Sequence, residues 1–185
     1  MALPRRYRYG PIVTATEPQD ARIRAPHIAG EREMLQGWID FHRSTLLWKC
    51  QGLTGEQLVT VSAEPSDMTL LGLVRHMADV ERWWFRRVAG QLPVEPRYWT
   101  DDHPDGDFEL VDPAEADANF AIYREEVAAA DEAVRDLDLD EVFEHPRRGT
   151  RMSLRWIYLH MIEEYARHNG HADLLRERID GRTGE

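Results

Sequence analysis

A helical repeat of apolar residues, Leu154, Ile157, Met161, Tyr165, Ala172, Leu175 and Ile179, runs through the last part of the chain with steps of three, four and seven. A stripe of that period and length demands an amphipathic helix whose apolar side is covered by other helices. The step of seven is filled at its middle by His168, where an apolar residue is expected. At about 100° per residue, Glu164 lies only about 40° from His168 one turn away, so both side chains reach one point.

An earlier segment, Leu73-Val74-Arg75-His76-Met77-Ala78-Asp79-Val80-Glu81, repeats the pattern. His76 sits about 40° from Val80 and about 20° from Trp83 around a helix, which predicts that it faces inward with Leu73. A lone histidine on such a face is usually a core residue satisfied by one hydrogen bond. Two imidazoles and a carboxylate on two helices form a sharper pattern. Three ligands with a fourth position open are what separates catalytic zinc sites from closed structural ones. His76, Glu164 and His168 are therefore the expected ligands of a divalent metal. His171 and His160, on the same helix as the Glu/His pair, are orienting groups or alternative ligands. His42 on the first helix is either a buried histidine or a further approach to the metal.

The rest of the chain divides into helices at its prolines and glycines. An extended, partly basic arm over residues 1–28 precedes a single domain over 29–185. A first helix is expected from about Glu31 to Cys50, with Leu35, Ile39, His42 and Leu46 inward and a stop around Gly52. A second opens after Pro65-Ser66-Asp67 with Thr69 as its cap and ends near Gly90. A long connection follows from about Gln91 to Val111, holding Pro93, Pro96 and Pro104 beside Tyr98, Trp99 and several acids. Such a loop covers a site opening or is plain surface. Asp112-Pro113-Ala114-Glu115 starts a third helix. Its stripe Ala116, Phe120, Tyr123, Val127, Ala130, Val134, Leu137 carries no polar break and reads as scaffold. After a loop containing His145-Pro146-Arg147-Arg148-Gly149, Ser153 caps the last helix, which Asp180-Gly181 stops. Four helices without a convincing alternating strand predict an all-α fold, an antiparallel four-helix bundle with long connecting loops. Trp83, Trp84 and Trp156 are expected to fill core volume. Arg167, Arg176 and Arg178 with Glu163 and Glu177 are expected to form a solvated face.

Composition narrows the partners. The 185 residues, 42% hydrophobic, suffice for one core, and 23 Lys and Arg against 34 Asp and Glu give a net charge of −11, which repels nucleic-acid phosphate. No segment has the length of a membrane span and the start lacks a signal-peptide pattern, so a cytoplasmic protein, monomer or homodimer, is expected. Cys50 is the single cysteine. A thiol taking part in chemistry is then expected to come from a small molecule.

The segments Leu71-Gly72-Leu73-Val74-Arg75-His76-Met77-Ala78-Asp79-Val80-Glu81 and Glu164-Tyr165-Ala166-Arg167-His168-Asn169-Gly170-His171-Ala172-Asp173-Leu174-Leu175-Arg176-Glu177 resemble the DinB-like superfamily, and within it the mini-circle-type branch. The resemblance covers about Glu31 to Gly184. It implies a four-helix bundle with a divalent metal held by one histidine of the second helix and two residues one turn apart on the last. Many members use His-x-x-x-His there. Glu164 at the first of these positions is similar instead to the mycothiol-dependent maleylpyruvate isomerase branch, which pairs Glu with His. The resemblance thus implies a thiol-dependent metalloenzyme, isomerase or S-transferase, with zinc first and nickel, iron or manganese as alternatives. Its partners would be a small thiol such as mycothiol and a small electrophile. The competing account is a non-enzymatic bundle stapled by metal that acts through partner interaction. Glu-x-x-His, the di-iron bundle signature, is absent.

Overall fold

The computed structural model describes residues 22–109 and 111–184. Most of the expected N-terminal arm therefore lies outside the described residues. Its last part runs along the first helix: the Ile23 backbone N–H donates to Ser44 Oγ at 3.2 Å, and the Arg22 guanidinium sits 4.5 Å from the Trp48 ring centroid.

Four long helices make the body: α1 (Glu31–Cys50), α3 (Leu70–Glu81), α5 (Ala116–Val134) and α6 (Leu154–Asp180). A single turn, α2 (Gly55–Leu58), and another, α4 (Gly106–Glu109), lie in the connections, and a 3-10 turn (Pro113–Glu115) leads into α5. The start signals act as their chemistry requires, with Thr69 accepting from the Gly72 N–H, Asp112 from Ala114 and Ser153 from Trp156. At the far end Gly181, at φ 79°, terminates α6 in the left-handed conformation that glycine tolerates.

Side-chain pairings give the topology. Arg155 at the start of α6 reaches Glu31 at the start of α1, whereas Arg176 near its end donates to the Lys49 and Gln51 carbonyls, so α1 and α6 run parallel. Arg32 donates to the Val134 and Leu137 carbonyls, which sets α5 antiparallel to α1. His76 meets His168 and Phe85 meets Tyr158, which makes α3 antiparallel to α6. The bundle is therefore up, down, down, up, with the long crossover between α3 and α5.

The stripes read from the sequence supply Ile39 and Leu46 from α1, Leu73 from α3, Tyr123 and Ala130 from α5, and Ile157, Met161, Tyr165 and Ala172 from α6, all essentially inaccessible to solvent. On α3 the buried face is turned toward Val74, Met77 and Ala78, and Val80 of the expected stripe is only half-buried. Several expectations need correction. A two-stranded hairpin, β1 (Val142–Glu144) against β2 (Arg151–Ser153), stands where no strand was foreseen. Phe143 and Met152, opposite one another in it, bury one face. The scaffold helix α5 does carry a buried charge, because Glu126 receives Arg82, Arg86 and Arg97 at 2.9, 2.5 and 2.5 Å. Arg176 belongs to the interior and not to the solvated face, since the terminal carbonyls of α1 need its donors. Trp156 is exposed instead of filling the core, and Trp83 and Trp84 are only partly covered.

From Arg82 to Ala89, α3 continues in the wider π-helical winding, with Gly90 N–H bonded to the Phe85 carbonyl five residues back. Beyond Glu81 the 100° arithmetic no longer sets the facing of a side chain. No helix of the described residues is long and apolar enough to cross a membrane.

Candidate metal centre

The antiparallel crossing of α3 and α6 brings His76 to the Glu164/His168 pair. The imidazole rings of His76 and His168 are 4.7 Å apart at their centroids, and His168 Nε2 lies 3.5 Å from Glu164 Oε2. One donor atom from each of the three residues falls within 4.8 Å of the others. All three side chains are partly covered, being 25%, 19% and 12% exposed for His76, Glu164 and His168, so the point where they meet is open on one side. His76 thus borders the buried face of α3 without lying inside it.

The connection after α3 supplies what the sequence reading missed. Asp107 Oδ2 is 2.7 Å from His76 Nδ1, and Phe108 stacks on the His76 ring at 5.3 Å between centroids. The buried carboxylate holds the imidazole with its proton on Nδ1 and leaves the Nε2 lone pair for a ligand, as metal-binding histidines are commonly held. The loop is pinned in place from several sides. Asp79 accepts the backbone N–H groups of Arg97 and Tyr98 at 2.7 and 2.9 Å, and Arg75 donates to the Gly106 carbonyl at 2.8 Å. A Cβ on Gly106 would stand 2.4 Å from the Tyr98 carbonyl oxygen, and one on Gly72 would stand 2.8 Å from the Phe108 ring, so both contacts require glycine. The acids and prolines of residues 91–111 were the available signal, but nothing in their spacing singled out Asp107.

The remaining histidines separate. His171 Nδ1 is 3.4 Å from His168 Nδ1, an arrangement that can hold His168 in the tautomer with Nε2 free. Burial and the neighbouring His168 and Arg167 push the pKa of His171 down, which keeps it neutral. His160 stacks on Trp156 at 5.0 Å, meets Trp84 edge-on at 4.6 Å, and stands 3.6 Å from both Glu163 and Glu164. These three form a second, more exposed group of potential ligands. His42 takes no part in either group. It faces Asn169, whose Nδ2 lies 3.3 Å from its Nδ1 and donates to its carbonyl at 3.1 Å, and burial lowers its pKa.

Glu164 supplies the negative charge where the first three residues converge. The His168 imidazole beside it, opposed by burial, and then the charges that His160, His168 and His76 carry when protonated hold the Glu164 carboxyl below the usual range, and a dication would take the place of those protons. Two imidazole nitrogens, once unprotonated, and a carboxylate oxygen lie within 4.8 Å of one another, and that donor set fits zinc. Cys50 offers no competing sulfur. It is buried, and burial pushes its thiol up to about 12, with Arg176 opposing.

None of the curated proteins compared with the chain matches it. The family model described as mycothiol-S-transferase matches residues 34–181, from the first turn of α1 to the glycine that ends α6, and so takes in His76, Asp107, Glu164 and His168. That span is most of the chain, which belongs to the mycothiol-S-transferase family, a DinB-like family.

Proposed function

We propose that the protein is a metal-dependent S-transferase that binds mycothiol and joins its sulfur to a small electrophile, with His76, Glu164 and His168 as the metal ligands. The observation that carries this reading is the convergence of three ligand atoms within 4.8 Å, one of them on an imidazole oriented by a buried carboxylate at 2.7 Å. A zinc-class cation held by two neutral imidazoles and one carboxylate keeps net positive charge, lowers the pKa of a thiol offered at the open position and favours the thiolate. The chain's own residues supply the rest. Asp107 fixes the tautomer of His76, and His171 is placed to do the same for His168. Met161 and Tyr165, wholly buried on the same helix, give Glu164 and His168 a rigid base. With Cys50 inaccessible, the nucleophilic sulfur is that of the cofactor. Family membership supports a mycothiol-linked thiol chemistry, and S-transfer is preferred over isomerisation on that ground.

The test is metal analysis followed by thiol titration. The purified protein should hold about one divalent ion per chain, and His76→Ala and His168→Ala should each lose it while circular dichroism still reports the helices. A cobalt-substituted sample titrated with mycothiol should develop a sulfur-to-metal charge-transfer band and release a proton. Absence of bound metal together with no thermal stabilisation by zinc or nickel would end this reading. Metal binding without any thiol-induced band would leave a metal-stapled helical module instead.

A further inference from the structure

Beside His76 the surface opens into a cavity of about 340 Å³, whose walls include the indoles of Trp83, Trp84 and Trp99. Small-molecule sites begin at about 300 Å³. The aromatic surfaces form a continuous lining. Trp83 lies 6.0 Å from Trp99 and 5.6 Å from His145, and His145 lies 5.6 Å from Trp84. Two acids on the wall are already engaged: Asp79 accepts the Arg97 and Tyr98 N–H groups, and Asp107 is held by His76. Asp105 at the rim is exposed.

The cations of the cavity come from the hairpin turn, where Arg147 and Arg148 reach its rim. Arg147 is held in a particular way, its guanidinium 5.4 Å from the Trp83 centroid and 4.9 Å from that of Trp99. Indole faces hold a guanidinium through its π surface and leave the N–H groups in its plane free to meet a carboxylate with two parallel bonds. Its own carboxylate contact, Asp101 at 3.5 Å, joins two side chains that are 50% and 88% exposed, a pairing that water screens and a ligand displaces at small cost.

We propose that this cavity is the subsite for the electrophile and selects planar, conjugated or aromatic carboxylates, with the ring against the indoles and the carboxylate on Arg147. The term electrophile rests on the S-transferase reading above, but binding in the cavity does not require the metal. Mycothiol is a poor occupant by the same chemistry, since its sugar and inositol rings carry no carboxylate for the arginine.

The experiment uses the full chain and an unreactive pair of probes of equal shape, 2-naphthoate and 2-naphthamide, followed by quenching of tryptophan fluorescence and by calorimetry. The acid should bind about tenfold or more tightly than the amide. Arg147→Met, at an exposed position that leaves the fold intact, should bring the acid down to the affinity of the amide and leave the amide unchanged. Trp99→Leu should weaken both probes. Metal-stripped protein and His168→Ala should keep the affinity for naphthoate. Failure of the metal and thiol reading would therefore appear as lost mycothiol binding with naphthoate binding intact. Equal affinity for the two probes, no binding of the acid, or an Arg147→Met variant indistinguishable from the parent would each overturn the assignment.

Discussion

Asp107→Ala separates orientation of a ligand from the ligand itself. The substitution removes the acceptor 2.7 Å from His76 Nδ1 and leaves all three proposed ligands in the chain. In the parent the carboxylate holds the proton on Nδ1, so Nε2 is always the basic nitrogen. In the variant both tautomers are populated and the ring, still stacked on Phe108, loses its polar anchor. Loss of such a partner lowers metal affinity about 10- to 100-fold, which corresponds to about 1.4–2.7 kcal/mol. When metal binds only the folded chain, the same free energy is lost from metal-linked stabilisation. At about 2–4 °C per kcal/mol for a chain of this size, the rise in Tm on adding zinc should shrink by about 3–11 °C. The assay is competition against a chromophoric chelator, paired with thermal unfolding with and without zinc. Asp107→Asn, which keeps an acceptor oxygen without its charge, should fall between parent and alanine. Zinc affinity within twofold of the parent for Asp107→Ala, with helicity unchanged, would refute the role given to this residue.

Arg43→Met should cost about 3–5 kcal/mol in urea unfolding, because it leaves Glu81, wholly buried and bonded to Arg43 through two 2.8 Å contacts, as an uncompensated charge; a loss below 1 kcal/mol would show that water reaches that carboxylate. Cys50 should resist alkylation at neutral pH in the native protein and react fully in denaturant, since its thiol is buried and its pKa pushed up to about 12; rapid native labelling would contradict the packing. Burial raises the Glu126 pKa, but hydrogen bonds from Arg97 and Arg86 and the charge of Arg82 outweigh it and leave the group below its ordinary 4.5. Its contribution to stability is therefore complete above about pH 4.5 and is lost as the pH falls through the lower folded-state value. Glu126→Gln should flatten the acid limb of the stability curve, and superimposable limbs would exclude this carboxylate as its source.

The helices and the placing of Glu164 beside His168 were legible because both depend on one period. Apolar residues at helical spacing fix which side of α6 is covered, and the same arithmetic aligns Glu164 with His168. What escaped depends on contacts between distant segments. Asp107 reaches His76 because Asp79 captures the backbone of residues 97 and 98, a pairing that no period encodes. Glu126 could not be assigned from the α5 stripe, since its burial follows from three arginines, two in the π-helical winding and one in the loop beyond. Trp156 stands well off the α6 stripe, so its exposure follows from the period itself, whereas the partial exposure of Trp83 and Trp84 was missed for related reasons. The winding after Glu81 changes the angular step, and their neighbours His145 and His160 come from other elements. Each strand of the hairpin is three residues long, too short for alternation to register against chance.

The placement of the ligands can be traced to a polar network in an otherwise apolar core. Tyr165 Oη donates to Glu81 Oε1 at 2.7 Å, so the Tyr123 hydroxyl, 2.9 Å from Tyr165 Oη, is the donor to Tyr165. Glu81 in turn accepts from Arg43, which also reaches Asp131 at 2.8 Å. All four long helices are tied at this level. Tyr165 directly follows Glu164 and is three residues from His168, while Glu81 is five residues beyond His76 on α3. The hydrogen bond between them therefore fixes the relative height of α3 and α6 beside the ligand cluster. Apolar contacts alone tolerate small slides between helices, but a buried carboxylate does not, because each displaced donor leaves an unpaired charge in the interior. The network thus acts on the site through distance. Glu81→Gln, which keeps the shape and removes the charge, should loosen that register and weaken metal binding without altering a single proposed ligand, whereas Glu132→Gln, on the exposed side of α5 beside Arg135, should leave it unchanged.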